Sequence, residues 1–369
     1  MEQANESKDE HERRHENHES VHAFNSASGG APYLGDGPLT APRNTILTGD
    51  ALTRLRELPG SSVDCVVTSP PYYAVRNYGH EDQLGLEATV HAWVANLRDV
   101  MREVARVLTP TGSLFLNLGD SFSRHPKYGA PIKGLLLAPE RLLLALAGDG
   151  WIVRNKLVWA KTNPMPSSVT DRLSLTYEVI YFLVRQRSYF FDLDALREPH
   201  RSNWAIRERK VPEASGWAGP LAASRSGLRK ARDKGQPGHP LGKNPGDVWQ
   251  IATKGYKGAH FATFPPELVR RPILGGCPAV VCTKCGAGQK QATGTLPCDC
   301  HAPARRGLVL DPLFGTGTVG LVARDLGRDW LGIELNPAYV RMAEVRLGIE
   351  QRALPPTVEP PTAPEADAA

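Results

Sequence analysis

The sequence predicts an α/β protein built on a mostly parallel sheet, and three observations carry that expectation. Short β-type runs alternate with helix-period segments from Asn44 onward. Several strand runs are apolar without alternation, as strands covered on both faces must be. Residues 308–347 read as one uninterrupted strand–helix–strand–helix unit.

The elements follow in order. Thr45–Leu47 is a short strand ending at Thr48-Gly49-Asp50, and Ala51–Leu58 is a helix. Val63–Thr68 (VDCVVT) is a continuous β-type run. His91–Leu108 carries apolar residues at helical spacing; Gly112 then punctuates the chain before a strand at Ser113–Leu118. A helix at Leu135–Ala147 precedes strands at Trp151–Trp159 and Glu178–Val184. Residues 199–246, rich in Gly, Pro, Ser and basic side chains, break the pattern, and order resumes near Asp247-Val248-Trp249. After a cysteine-rich stretch at 277–307 come a strand at Leu308–Leu310, a helix at Thr318–Leu326, a strand at Trp330–Glu334 and a helix at Pro337–Leu347.

Composition bounds the function. Residues 1–43 are charged, His-rich and poor in large apolar side chains, and 351–369 are rich in Pro, Ala and Glu; both are expected to be disordered tails. His11, His15, His18 and His22 would share a helical face, but a solvated tail is the favoured reading. The most apolar region is broken by Pro139, Glu140 and Arg141, so no membrane span is expected. The first thirty residues hold no apolar core of a secretory signal, and the expected location is cytoplasmic. The net charge is +5, but Arg201–Gly242 alone carries nine Lys/Arg against three Asp/Glu. A basic segment on a near-neutral body points to a polyanionic partner.

Two segments carry chemistry. Asp311-Pro312-Leu313-Phe314-Gly315-Thr316-Gly317-Thr318 follows a strand and opens a helix, where glycines let the backbone approach a ligand and N–H groups face it. Glu334 ends the next strand, 19 residues after Gly315, where an acidic side chain can accept both hydroxyls of a ribose. A nicotinamide dinucleotide site shares the glycine pattern, but there the first glycine sits at the strand end, not four residues past Asp311.

Ser69-Pro70-Pro71-Tyr72 directly follows the run VDCVVT. This tetrapeptide suits a reaction at an exocyclic amine of a nucleobase, whose lone pair is conjugated with the ring. The Ser69 hydroxyl and Pro70 carbonyl can accept the amine's hydrogens and free that lone pair; the prolines fix their positions in advance. Tyr72 can stack on a base drawn out of a duplex. Attack at carbon 5 of cytosine would instead need a cysteine nucleophile, and Cys65 sits mid-strand among apolar neighbours.

Together these motifs resemble the beta-arranged group of bacterial and phage DNA amino-methyltransferases, in which the catalytic tetrapeptide precedes the cofactor loop and a target-recognition region lies between them. The resemblance runs from about Asn44 to Leu347. It implies the Rossmann-like fold of S-adenosylmethionine-dependent methyltransferases in permuted motif order, S-adenosylmethionine as cofactor and double-stranded DNA as partner. On this resemblance the cofactor contacts are Asp50, Phe264, Asp311, Pro312, Phe314, Gly315, Gly317, Thr318, Glu334 and Asn336, with Phe264 in the segment Gly258–Pro265. Asn117-Leu118-Gly119-Asp120 resembles the next strand end of the group, and Lys161–Pro166 a loop near the target base. Leu313 stands where the group usually has Phe. Serine at position 69 favours cytosine N4 over adenine N6. An RNA or protein-glutamine methyltransferase and a non-catalytic DNA-binding subunit are the competing readings. A cognate restriction endonuclease and a second copy of the chain are the remaining candidate partners.

The division expected is a catalytic half at 44–198, a target-recognition insertion at 199–246, a cofactor-packing segment at 247–276, a zinc-knuckle insertion at 277–307 and a cofactor-binding half at 308–350. Cys282-x-x-Cys285 followed by Cys298-x-Cys300 has the spacing of a four-thiolate structural zinc site, with Cys277 and His301 as spare ligands. Arg225, Arg229, Lys230, Arg232 and Lys234 are the candidate DNA contacts.

Overall fold

The strand runs assemble as neighbours in one sheet although they are scattered along the chain. The computed structural model describes residues 40–200, 239–254, 264–291 and 293–349. Its strands are β1 (Thr45–Thr48), β2 (Val63–Thr68), β3 (Leu108–Leu118), β4 (Ile152–Lys161), β5 (Tyr177–Val184), β6 (Val248–Ile251), β7 (Val280–Cys282), β8 (Ala304–Arg306), β9 (Leu308–Asp311) and β10 (Asp329–Glu334). Eight form one sheet in the order β1-β10-β9-β2-β3-β5-β4-β6. Pairing is parallel from β1 through β3, antiparallel on both sides of β5, and parallel again between β4 and β6. The permuted order is thereby accommodated: β9, late in the chain, lies between β10 and β2.

Helices cover both faces. α1 (Ala51–Arg56), α2 (Val90–Val107) and α3 (Ala138–Gly148) pack with Val66, Leu114 and Leu116 of the sheet. α4 (Pro266–Gly276), α5 (Thr318–Asp325) and α6 (Pro337–Leu347) pack with Cys65, Val67 and Phe115. Alternate residues of β2 therefore feed opposite cores, the reason its sequence is apolar throughout. In α2, Trp93, Leu97, Met101 and Val104 line one buried stripe; burial of each such side chain is worth about 1.5–3 kcal/mol. Among the described residues, no helix is long and apolar enough to cross a membrane.

Three differences from the sequence reading have physical causes. α3 starts at Ala138 rather than Leu135, because Leu137 is left-handed (φ 52°) and Pro139 occupies the first turn. The Asp120 carboxylate accepts the N–H groups of Leu137 and Ala138 (2.9 and 3.1 Å) and caps that start. β3 begins at Leu108 and runs through Gly112, where a Cβ would lie 2.6 Å from the Leu108 side chain; glycine here permits a close approach rather than ending the strand. α4 and β6 fall in stretches without a legible period. α4 contains Pro272 and ends in Gly275-Gly276, and a Cβ at Gly276 would strike Phe115 and Ser113 at 2.6 Å. The helix tolerates poor local propensity because small residues let it lie close on the sheet.

The edges of the expected segments are also defined. Ala41 is buried and Arg43 pairs with Asp329 at 2.7 Å, so the packed body includes residues read as tail. Glu198 and Lys243 exchange backbone hydrogen bonds (3.0 and 2.8 Å), pinning both feet of the basic segment at one place. Arg225, Arg229, Lys230, Arg232 and Lys234 lie outside the described residues, as do residues 258–263.

Candidate active site and cysteine cluster

β2 and β9 are parallel neighbours, so the segments that follow them emerge side by side at the carboxyl edge of the sheet. The Thr68 hydroxyl donates to Asp311 Oδ1 at 2.8 Å, a buried bond between residues 243 positions apart. Ser69 and Pro71 consequently line the same cleft as Pro312, Leu313, Phe314, Gly315, Thr316 and Thr318, with Gly49, Asp50, Phe264, Glu334 and Asn336 around it. The cleft holds about 940 Å³ of empty volume, its mouth included.

The loop after β9 turns sharply, with left-handed Gly315 (φ 53°) and Gly317 (φ 77°), the latter capping α5 without a side chain. Glu334 braces it. Its Oε2 accepts the Gly315 N–H (2.7 Å), and its Oε1 accepts the Asn336 N–H (2.8 Å). Burial pushes the Glu334 carboxyl above the usual carboxylate range, against the opposing pull of these backbone donors. The Asn336 side chain caps α6 through the Ala338 N–H (2.9 Å). Asp50 caps α1 on the opposite rim, its Oδ1 accepting the Thr53 N–H at 2.8 Å.

Not every nominated residue opens on the cleft through its side chain. Phe314 is 3% exposed and its ring stacks on Trp330 (5.5 Å between centroids), so it anchors the loop from below. Asp311 is buried, its oxygen satisfied by Thr68 and the Leu313 N–H (3.0 Å). Burial pushes its carboxyl up to about 8, with those two donors opposing the rise. Asp311 therefore joins strand tips. Gly317 shapes the helix start, and a Cβ there would lie 3.1 Å from Ala343.

The tetrapeptide is anchored on both sides. The Trp93 indole donates to the Pro71 carbonyl (3.0 Å), and Pro70 is buried. The Tyr72 hydroxyl donates to Glu178 Oε2 at 2.6 Å and lies 3.2 Å from Ser69 Oγ. Burial, then the adjacent Glu178, raise the Tyr72 phenol well above its ordinary pKa. Its ring rests on Gly119, where a Cβ would approach to 2.7 Å. Glu178 and Lys161 (2.6 Å apart) complete the cluster with Asn117. Glu178 was not singled out from sequence, because it reads as the first polar residue of an apolar strand. The cleft residues Tyr78, His80 and Gln83 of one loop and Tyr339 of α6 also carried no pattern; Asn336 ties that loop to the start of α6 by donating to the Tyr78 carbonyl (3.3 Å).

The cysteines divide into two kinds. Cys282, Cys285, Cys298 and Cys300 bring their sulfurs within 4.8 Å of one another. Four sulfurs about 2.3 Å from a tetrahedral zinc ion would stand about 3.8 Å apart, so the set fits that metal. Cys282 ends β7, and the following turn passes left-handed Gly286 (φ 72°). Backbone N–H groups of Cys285 and Lys284 lower the Cys282 thiol to about 6. Cys277 and His301 stand apart from this group and are not needed to complete it. Cys65 and Cys277 lie in the core, where burial pushes the Cys65 thiol up to about 12, consistent with an inert side chain.

The DNA methylase family profile (N6_N4_Mtase) matches residues 63–345. The chain is similar to the Type II methyltransferase M.XycI of Xanthomonas campestris pv. cyanopsidis, 38% identical over 332 residues that cover 84% of this chain and 89% of that one. It is 34% identical over 331 residues to M.Cfr9I of Citrobacter freundii, again with 84% and 89% covered. The solved PvuII DNA methyltransferase (cytosine-N4-specific) shares the fold at 19% identity, with a TM-score of 0.53 and coverage of 83% of this chain and 87% of that one. With a mostly parallel sheet, two motif segments on one cleft and this extent of similarity, the chain belongs to the DNA methylase family of cytosine-N4 and adenine-N6 amino-methyltransferases.

Proposed function

We propose that the chain transfers a methyl group from S-adenosylmethionine to the N4 amino group of cytosine in double-stranded DNA. The observation that carries this reading is the buried Thr68–Asp311 hydrogen bond, which joins the strand tips bearing the tetrapeptide and the glycine loop. The residues present fit the cofactor. Gly315 leaves room for close approach, the buried Glu334 carboxyl can accept ribose hydroxyls, and Asp50 and Phe264 stand on the rim for its two ends. When bound, S-adenosylmethionine supplies an electrophilic methyl group on a positively charged sulfur.

The chain's own residues prepare the acceptor. Ser69 Oγ and the Pro70 carbonyl accept the hydrogens of the target amine and release its lone pair from the ring. The freed lone pair would then take up the methyl group that the bound cofactor supplies, the bonding pair staying with the cofactor and the surplus proton of the amine leaving to water. The base must first leave the duplex, at a cost of a few kcal/mol; stacking on the Tyr72 ring offsets about 1–3 kcal/mol of it. Ser69 in place of a carboxylate or amide favours cytosine over adenine. The segment 199–246 is the proposed reader of DNA sequence, with Arg225, Arg229, Lys230, Arg232 and Lys234 on phosphates or guanines.

The four clustered thiolates hold one zinc ion with a structural role. Arg305 of β8 pairs with Asp64 of β2, and Asp64 also accepts the Leu308 N–H (2.8 Å). These contacts attach the cysteine hairpin at the amino ends of β2 and β9, opposite the cleft. The test of the main reading is incubation with tritium-labelled cofactor and either DNA or RNA. Label in DNA is expected; transfer to RNA alone would overturn it.

A further inference from the structure

We propose that Glu178 is a positioning residue that fixes the direction of the Ser69 hydroxyl, so that Ser69 meets the target amine only as a hydrogen-bond acceptor. The inference rests on the methyl-transfer reading and concerns a residue that neither sequence motif contains.

It follows from counting hydrogens in one half-buried cluster. Glu178, at the start of β5, has a side chain 13% exposed, and as a carboxylate it offers only lone pairs. Lys161 Nζ donates to Oε1 at 2.6 Å. The Tyr72 hydroxyl (2.6 Å) and Asn117 Nδ2 (3.2 Å) donate to Oε2. Asn117 Nδ2 spends its other hydrogen on the Val179 carbonyl (3.1 Å), which fixes the amide so that Oδ1 faces Ser69 and Tyr72. Tyr72 has one hydrogen, and Glu178 takes it. Tyr72 therefore cannot donate to Ser69, although the two oxygens are 3.2 Å apart. The single Ser69 hydrogen goes inward, to Tyr72 or to Asn117 Oδ1 (3.3 Å), and the Ser69 lone pairs are left toward the cleft. An amine can become nucleophilic only if its neighbours accept its hydrogens; a serine hydrogen aimed at the amine would oppose that change.

Lys161 supports the arrangement from β4. Its ammonium also sits 5.1 Å from the Trp159 ring centroid, held between the aromatic face and the carboxylate. The cluster thus draws on β2, β3, β4 and β5: the register sets Glu178 opposite Trp159, and Lys161, two residues further along β4, reaches it diagonally through its side chain.

The test is a reversal of hydrogen-bond direction. Glu178→Gln keeps size but can donate to Tyr72, which frees the Tyr72 hydrogen for Ser69 (3.2 Å) or Asn117 Oδ1 (3.3 Å), so that the serine hydrogen is no longer held inward. kcat for DNA methylation is expected to fall about 10- to 100-fold, with cofactor Kd within about twofold of wild type. Tyr72→Phe removes the hydroxyl that transmits the reversal and leaves Ser69 donating to Asn117. The double variant Tyr72→Phe/Glu178→Gln is therefore expected to be more active than Glu178→Gln alone. A purely structural role predicts that the two losses accumulate. Wild-type kcat in Glu178→Gln, or a double variant weaker than Glu178→Gln, overturns the inference. If Glu178→Gln binds no cofactor, Glu178→Asp decides, because it remains an acceptor only: kcat restored to within about tenfold of wild type supports the inference, and a loss as complete as that of Glu178→Gln overturns it. Absence of methyl transfer by the wild-type protein would instead refute the methyl-transfer reading.

Discussion

Replacing Thr68 by Val removes one hydroxyl from the place where the two motif-bearing strands meet. Valine matches threonine in shape, so packing against the sheet is kept while Asp311 Oδ1 loses its 2.8 Å donor and retains only the Leu313 N–H. An under-satisfied buried acceptor costs about 1–3 kcal/mol. With a urea dependence of about 2–3 kcal/mol per molar, a loss of 2 kcal/mol lowers the unfolding midpoint by roughly 0.7–1 M. Thr68→Ser keeps the donor and loses one methyl group, for about 1 kcal/mol. The two variants separate in turnover. Thr68→Val loosens the alignment of Ser69 with the glycine loop, and kcat is expected to fall about three- to tenfold, whereas Thr68→Ser stays near wild type. The assay is urea unfolding beside labelled methyl transfer for all three proteins. A Thr68→Val protein with wild-type midpoint and kcat would refute the argument that this bond holds the site together.

Further outcomes follow from the same geometry. Gly317→Ala places a side chain at φ 77°, with its Cβ 3.1 Å from Ala343; it should lose about 1–2 kcal/mol of stability and weaken cofactor binding, measured by melting and titration calorimetry. Asp311 keeps its proton in the folded chain up to about pH 8, but releases it near pH 4 when unfolded. Its contribution to stability is thus full below about pH 4 and is lost as pH rises through 8, so the melting point of wild type relative to Asp311→Asn should fall between about pH 6 and 8; a constant difference contradicts this. Removing zinc with a chelator should release one metal per chain and lower the melting point, while low-temperature turnover of still-folded protein is retained, because the hairpin is tied at the amino ends of the strands through Arg305 and Asp64.

Most of the frame was legible because strong local signals and tertiary demands agreed. VDCVVT had to be a strand covered on both faces, and Leu308–Leu347 had to be a strand–helix–strand–helix unit. The shared cleft was legible only as an expectation from chemistry, and the Thr68–Asp311 bond supplies its spatial basis. What was hidden depends on neighbours rather than on local pattern. Pro272, Gly275 and Gly276 argue against a helix until Phe115 and Ser113 are seen to need the space a side chain would fill. Glu178 resembles any strand-edge carboxylate until Tyr72, Asn117 and Lys161 converge on it from three other strands or loops. Phe314 sits in the fingerprint and lines the cleft while its ring stacks on Trp330, and the spacing alone does not tell which way that ring turns.

Digesting DNA modified by the purified protein to nucleosides and identifying the methylated one tests this chemistry at its product. The expected product is N4-methylcytosine. A label on carbon 5 of cytosine, or in no nucleoside at all, would contradict a cleft in which Ser69 and Pro70 receive an exocyclic amine; N6-methyladenine would leave that cleft standing and overturn the assignment to cytosine.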